Sequence, residues 1–246
     1  MVKCLTIKNI FKIHPLFYIV SILTLITGFF KEFSYIMIII LVHELGHILT
    51  SMHFKWKIEK IIILPFGGLT LFNEKINKPL KEEFIIAISG PLTQLLIFSF
   101  LKNTLILKYH YFLLLFNLLP IIPLDGSKII NLLCNYLMPF KLCHKLTIII
   151  SLVTIILFSF IKFNLVTLIV LIFLIYKIIN EVQNHKNIFN KFLMERYLYR
   201  INFKKRKVIN GYNLNCMFRD YKHLFYVDNK CYSEHQILKK SLTYKG

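Results

Sequence analysis

The sequence predicts an all-α polytopic membrane protein of about six transmembrane helices, with a short membrane-associated β-hairpin and a cytoplasmic C-terminal tail. Three observations carry this reading. Hydrophobic residues make up 56% of the 246-residue chain, and the apolar runs repeatedly reach the roughly 20 residues that a helix needs to cross a bilayer. The formal charge of +19 lies mostly between those runs and in the tail, which makes it a topology signal before it is a nucleic-acid signal. The runs are also long enough to satisfy their own backbone hydrogen bonds as helices, as lipid requires.

The expected spans are 15–31, 34–54, 82–101, 107–121, 145–161 and 163–180, so that residues 1–181 form the membrane domain and 182–246 a basic tail. The outer loops then hold only Lys31, Lys102, Lys108 and Lys162, whereas the N-terminal arm, the loops 55–81 and 138–145 and the tail hold 25 basic residues. The positive-inside rule places both termini in the cytoplasm. Lys3, Lys8 and Lys12 precede the first span without a small-residue cleavage pattern after it, and an uncleaved span is expected. Five cysteines, odd in number and without a C-x-x-C pair, read as reduced thiols rather than a disulfide framework or a thiolate zinc site. No direct nucleic-acid partner is expected.

Two stretches do not read as simple spans. In "KWKIEKIIILPFGGLTLFNEK", isoleucines interrupted by Pro65, Gly67 and Gly68 predict two short strands around a turn. In "NLLPIIPLDGSK", Pro120 and Pro123 break the fourth span just before Asp125. Irregular backbone at membrane depth is tolerated where it is buried in protein or lines a wet cavity. Both breaks therefore point to a polar interior site.

Such a site has ligands in "LVHELGHILT", residues 41–50. His43 and His47 are four apart and share one helix face, which presents two imidazoles to a single metal ion. Glu44, next to the first histidine in this H-E-x-x-H pattern, is placed to take a proton from the water that such a metal activates. His43 follows Ser34 by nine residues, about 14 Å into the span at 1.5 Å per residue. A charged group at that depth costs at least about 2.5–3.5 kcal/mol on insertion scales, which argues for function over a packing cluster. A metal-ion transporter or channel is the alternative, since it too places His, Asp and Glu in broken spans.

Catalytic zinc usually takes three protein ligands. His53 stands at the spacing of a metzincin third ligand, but Thr50 replaces the glycine that would turn the chain back, and His53 is set aside as an interfacial residue. Asp125 is the better candidate: it is the only aspartate before residue 220 and sits at the broken helix. Its alternative role is to cap the helix that begins near Gly126.

The words "HELGH", "LLFNLLPIIPLDGSK", "LPFGG" and "KPLKEEFIIAISGPLTQ" together resemble the site-2 protease family of intramembrane zinc metalloproteases, over about residues 10–200. The resemblance implies one Zn²⁺ per chain on His43, His47 and Asp125, with Glu44 as general base. It implies a substrate-side role for Asn117, Pro120, Pro123, Pro65, Phe66, Gly67 and Gly68, the last four in a membrane-dipping loop; a helix-bridging asparagine and a tight glycine turn are the plainer readings. The order of motifs and "FLMERYLYR" are most similar to a member that activates a sporulation sigma-factor precursor in the mother-cell membrane around the forespore, under inhibitory membrane proteins. That member ends in a nucleotide-sensing cystathionine-beta-synthase type domain. Only 39 residues follow Lys207 here, too few for a complete pair of such modules, which leaves at most a reduced version and counts against ATP binding. "KKRK" at 204–207 is expected to meet anionic lipid, and homo-oligomers are allowed.

Overall fold

The computed structural model describes residues 11–64, 67–72, 75–159, 165–199, 201 and 203–243. The chain is mostly helical and divides into two compact units, residues 1–74 with 84–119 and residues 75–83 with 120–246. Among the described residues, three helices are long and apolar enough to cross a membrane: Phe30–His53, Phe140–Phe158 and Thr167–Tyr199, with the shorter apolar Phe17–Thr27 beside them.

The first unit begins with β1 (Phe11–Ile13), α1 (Pro15–Thr27) and α2 (Phe30–His53). At 1.5 Å per residue α2 is about 36 Å long, enough for the hydrocarbon core. It stops at Phe54, and Lys55 takes a left-handed φ of 57°. Two strands follow, β2 (Ile58–Leu64) and β3 (Gly67–Phe72), which pair antiparallel in the hairpin that the Ile-rich run predicts. β1 adds parallel to β2, so the order is β1-β2-β3 and β3 pairs on one edge only among the described residues. α3 (Leu80–Phe98) carries Pro91 in its interior. α4 (Thr104–Asn117) starts from Asn103, whose side chain accepts from the N–H groups of Leu105 and Ile106 at 3.0 and 3.2 Å, a cap of about 1 kcal/mol. Ile39 and Ile40 of α2, Phe98 of α3 and Leu113 of α4 form the buried apolar contact that fixes these helices together.

The second unit contains α5 (Asp125–Leu137), α6 (Phe140–Ser159) and α7 (Leu165–Tyr199). α5 is not among the expected spans, although a helix beginning near Gly126 figures in the alternative reading of Asp125. It alternates buried Asp125, Ser127 and Asn135 with exposed Leu133 and Leu137, a pattern too polar to read as a span. The fourth expected span ends earlier than expected, at Asn117, because α4 closes three residues ahead of Pro120. α7 runs past the apolar segment to Tyr199, since "EVQNHKNIFNKFLMERYLY" is rich in helix formers and lacks Gly and Pro.

The tail, unassigned from sequence, is a small α/β module: β4 (Lys205–Asn210), β5 (Tyr221–Val227), β6 (Lys230–Ser233) and α8 (Glu234–Thr243). β4 is parallel to β5, and β5 is antiparallel to β6 across Asp228 and Asn229, both at positive φ as a two-residue hairpin turn demands. Ser233 and Gln236 form a capping box: the Ser233 N–H donates to Gln236 Oε1 at 2.8 Å, and the Gln236 N–H donates to Ser233 Oγ at 3.4 Å. The module packs Met217, Phe225 and Leu238 on Phe140 of α6 and Phe192 of α7, whose rings stack at 4.4 Å.

A buried polar network ties it down. Arg196, 3% exposed, donates to Glu234, to the carbonyls of Phe218 and Tyr221, and to Asn77 Oδ1. His223 accepts the Phe218 N–H on Nε2 at 3.0 Å and lies 3.1 Å from Glu234 through Nδ1. A backbone N–H can only donate, so His223 is neutral with its proton on Nδ1. Burial pushes the His223 pKa down. Burial alone would raise Glu234, but the His223 bond and the Arg196 guanidinium outweigh it and hold that carboxyl below its ordinary value.

Candidate metal centre

His43 and Glu44 are adjacent on α2 with His47 one turn further on, and the three are 3%, 6% and 5% exposed. Each histidine is oriented by α3. His43 Nδ1 lies 2.9 Å from Gln94 Oε1, and the Gln94 amide is itself fixed because its Nε2 donates to the His110 carbonyl at 3.0 Å. His47 Nδ1 lies 2.7 Å from the Ile86 carbonyl. Oxygen is the acceptor in both cases, so both rings carry their proton on Nδ1 and leave a lone pair on Nε2.

Those two Nε2 atoms are 3.2 Å apart. Two lone pairs facing each other at that distance repel in an apolar interior, unless a cation lies between them. Two imidazoles on a tetrahedral zinc at about 2.0–2.1 Å would hold their nitrogens about 3.3 Å apart. The pair therefore fits a zinc ion, and the outer bonds to an amide oxygen and a backbone carbonyl are those that usually orient zinc-bound histidines.

Glycines let the surroundings close on these side chains. A methyl group at Gly90 would overlap the His47 ring, and one at Gly68 of β3 would overlap the Glu44 side chain. Gly46 faces α3: a methyl there would meet the Ser89 carbonyl at 2.6 Å, and Ser89 Oγ donates to the Gly46 carbonyl at 3.0 Å. Gly46 thus serves close helix packing, the plainer of its two readings.

The other predicted residues fall as follows. Asn117 is buried as the last residue of α4. Gly67 and Gly68 open β3, while Pro65 and Phe66 lie outside the described residues. His53, the last residue of α2, is exposed and stacks edge-on against Phe54. In the second unit, Asp125 is the first residue of α5, is 7% exposed, and accepts from Lys128 Nζ through Oδ1 at 3.0 Å. Leu124, not Asp125, occupies the N-cap position. The segment holding Pro120 and Pro123 is pinned by Ser151 Oγ, which accepts from the Ile122 N–H at 3.2 Å and donates toward the Pro120 carbonyl at 3.1 Å.

Sequence reasoning missed Gln94, Gly90, Ser151 and the Ile86 carbonyl. Gln94 carried a signal, as a polar residue inside an apolar run with no polar neighbour of its own kind. The Ile86 carbonyl carried none, because backbone acceptors leave no trace in residue identity.

The chain resembles known proteins along most of its length. A model of peptidase family M50 matches residues 32–109. Stage IV sporulation protein FB of Bacillus subtilis is 35% identical over 202 residues, which cover 75% of this chain and 70% of that protein. A zinc metalloprotease of Methanocaldococcus jannaschii is 30% identical over 153 residues, covering 54% of this chain and 44% of the other. The solved structure of the site-2 protease from Methanocaldococcus jannaschii matches with a TM-score of 0.54 and 28% identity, over 71% of this chain and 92% of that one. The matches are to peptidases, and the ion-transporter reading of the polar cluster is not favoured. With so much of a relative covered at this identity, the chain belongs to peptidase family M50, as a membrane zinc metalloprotease of the site-2 protease type.

Proposed function

We propose that the protein cleaves a membrane-associated protein substrate with Glu44 as general base and with His43, His47 and Asp125 as the zinc ligands. The observation that carries this reading is the pair of Nε2 atoms on His43 and His47, which face each other 3.2 Å apart on the helix that carries Glu44. Asp125 is the complement that the chemistry calls for: a buried carboxylate to complete the three protein ligands usual for catalytic zinc.

Held by these residues, zinc would supply the acidification of a water molecule and the polarisation of the scissile carbonyl. Glu44 accepts the water proton and returns it to the leaving amine. Gln94 and the Ile86 carbonyl keep the histidine lone pairs aimed during that exchange. The substrate-side role of Asn117 belongs to the same proposal and rests on the family resemblance. β3, paired on one edge among the described residues, would offer its other edge to an unwound substrate strand held by main-chain bonds, with Gly67 and Gly68 at its start and Pro65 and Phe66 assigned to the same substrate-side role.

The same reading extends to topology and partners. Six spans with both termini cytoplasmic follow from the charge distribution, residues 1–181 forming the protease domain and 182–246 a cytoplasmic tail. Lys204, Lys205 and Arg206 are exposed at the start of the tail module, in keeping with a contact to anionic lipid. The substrate proposed is a sporulation sigma-factor precursor, cleaved at the mother-cell membrane and restrained by inhibitory membrane proteins. The sporulation name of the Bacillus relative supports it.

The test is Glu44→Gln in membranes that also contain the sigma precursor. Zinc content is expected to stay at the wild-type level while cleavage falls by at least about 100-fold, the lower end of general-base contributions. Cleavage at the wild-type rate would remove Glu44 from the mechanism.

A further inference from the structure

A second histidine pair stands on other elements of the chain. His144 lies near the start of α6, and Glu181 and His185 lie one turn apart on α7. The two rings stack with centroids 4.9 Å apart and planes within 5°. His144 Nε2 is 3.5 Å from Glu181 Oε1. His144 is 8% exposed, yet among the described residues its Nε2 has no hydrogen-bond partner, and neither does the buried Nδ1 of His185.

Two orphaned ring nitrogens in one cluster require an explanation, because a buried nitrogen without a partner costs about 1–3 kcal/mol. A packing role does not supply one. Phe140 already stacks on His144 at 6.4 Å, and an aromatic ring at 144 or 185 would stack equally well without the desolvation cost. Hydrogen bonding within the cluster does not supply one either, since each nitrogen stays unmatched with the other histidine and the carboxylate alongside. A cation that accepts imidazole nitrogen and carboxylate oxygen satisfies all three groups at once.

We propose that His144, Glu181 and His185 form a second divalent transition-metal site, which clamps α6 to α7 ahead of the Arg196 anchor of the tail module. The ligand set of two imidazoles and one carboxylate suits Zn²⁺, with Cu²⁺ and Ni²⁺ as competitors. Lone pairs of parallel rings do not converge, so binding turns the His185 ring out of the stack. His185 is half-buried, and this movement is part of the proposal. Glu181 and His185, four residues apart, already share one face of α7. The ammonium groups of Lys141 and Lys145 lie close enough to act on His185 and oppose a dication, and the Glu181 carboxylate offsets them. The site therefore holds its ion more weakly than a His43–His47 centre completed by its own carboxylate.

The test is zinc stoichiometry of the full chain in detergent micelles, purified without a histidine tag and equilibrated against buffered Zn²⁺. Wild type is expected to hold two equivalents, and His185→Gln one. The double variant His43→Ala/His47→Ala is expected to retain one, at the weaker affinity. A single equivalent in wild type overturns the proposal, as does a second equivalent that survives in both His185→Gln and Glu181→Gln. If the double variant does not fold, the His185→Gln and wild-type measurements decide by themselves, because neither disturbs His43 or His47.

Discussion

Two buried clusters in this protein are built from the same side chains and come out opposite. In the tail module, His223, Glu234 and Arg196 close on one another and on nearby carbonyls and N–H groups. In α2, His43 and His47 bond outward through Nδ1 and leave both Nε2 lone pairs facing each other. A closed set of donors and acceptors fixes a fold. A set that brings two imidazole nitrogens face to face at 3.2 Å suits an ion. The distinction rests on proton bookkeeping rather than on residue type, since a histidine beside a carboxylate occurs in both.

Breaking the closed cluster should have the largest effect on stability. Arg196→Met leaves Glu234 buried without its cation, a loss of about 3–5 kcal/mol. Hydrogen exchange of the β4–β6 amides in the full-length protein should report it as lost protection, with zinc content unchanged. Protection equal to wild type would mean that the network is ornamental.

The open cluster should respond in metal affinity instead. Gln94→Leu removes the acceptor that fixes the His43 ring, and zinc affinity should fall about 10- to 100-fold, the usual effect of losing an orienting partner. Competition against a zinc chelator measures it, and an unchanged dissociation constant would show that His43 needs no orientation from α3.

Acid should separate the two regions more gently. The folded His223 pKa lies below its ordinary 6.5, so the unfolded chain binds the extra proton first as pH falls from that value, and the module loses stability. Glu234, held below its ordinary 4.5, contributes stability above that value and loses it as pH falls through its folded pKa. Both groups therefore act in the same direction. Hydrogen exchange at pH 7.5 and 5.5 should show the tail amides less protected at the lower pH, and His223→Gln should flatten the part of that dependence above pH 5.

Much of the centre was legible because its chemistry is written in residue identities. H-E-x-x-H at helical spacing in an apolar run points to the two proposed ligands and the proposed base, and glycines beside isoleucines mark the hairpin. What stayed hidden was carried by backbone or by distance in sequence. The Ile86 carbonyl has no sequence signature, and Gln94 reaches His43 across 51 residues. The tail resisted for a related reason: "KRKVIN" and "YKHLFYV" are too short and too charged to show a clear period of two. Their pairing depends on Arg196, which lies in a different element. α5 was obscured by its polarity, which the search for apolar spans discards.

The facing lone pairs of His43 and His47 also change what a melting experiment means for this protein. A metal that binds only the folded chain stabilises it by mass action, by about 4.1 kcal/mol when free zinc exceeds the dissociation constant 1,000-fold. The repulsion between the two nitrogens is relieved in the same step. The unfolding midpoint of the purified enzyme therefore tracks the free zinc of its buffer, and a thermal scan doubles as a readout of metal activity. Preparations compared without a fixed zinc buffer would differ in apparent stability while sharing every covalent and packing contact.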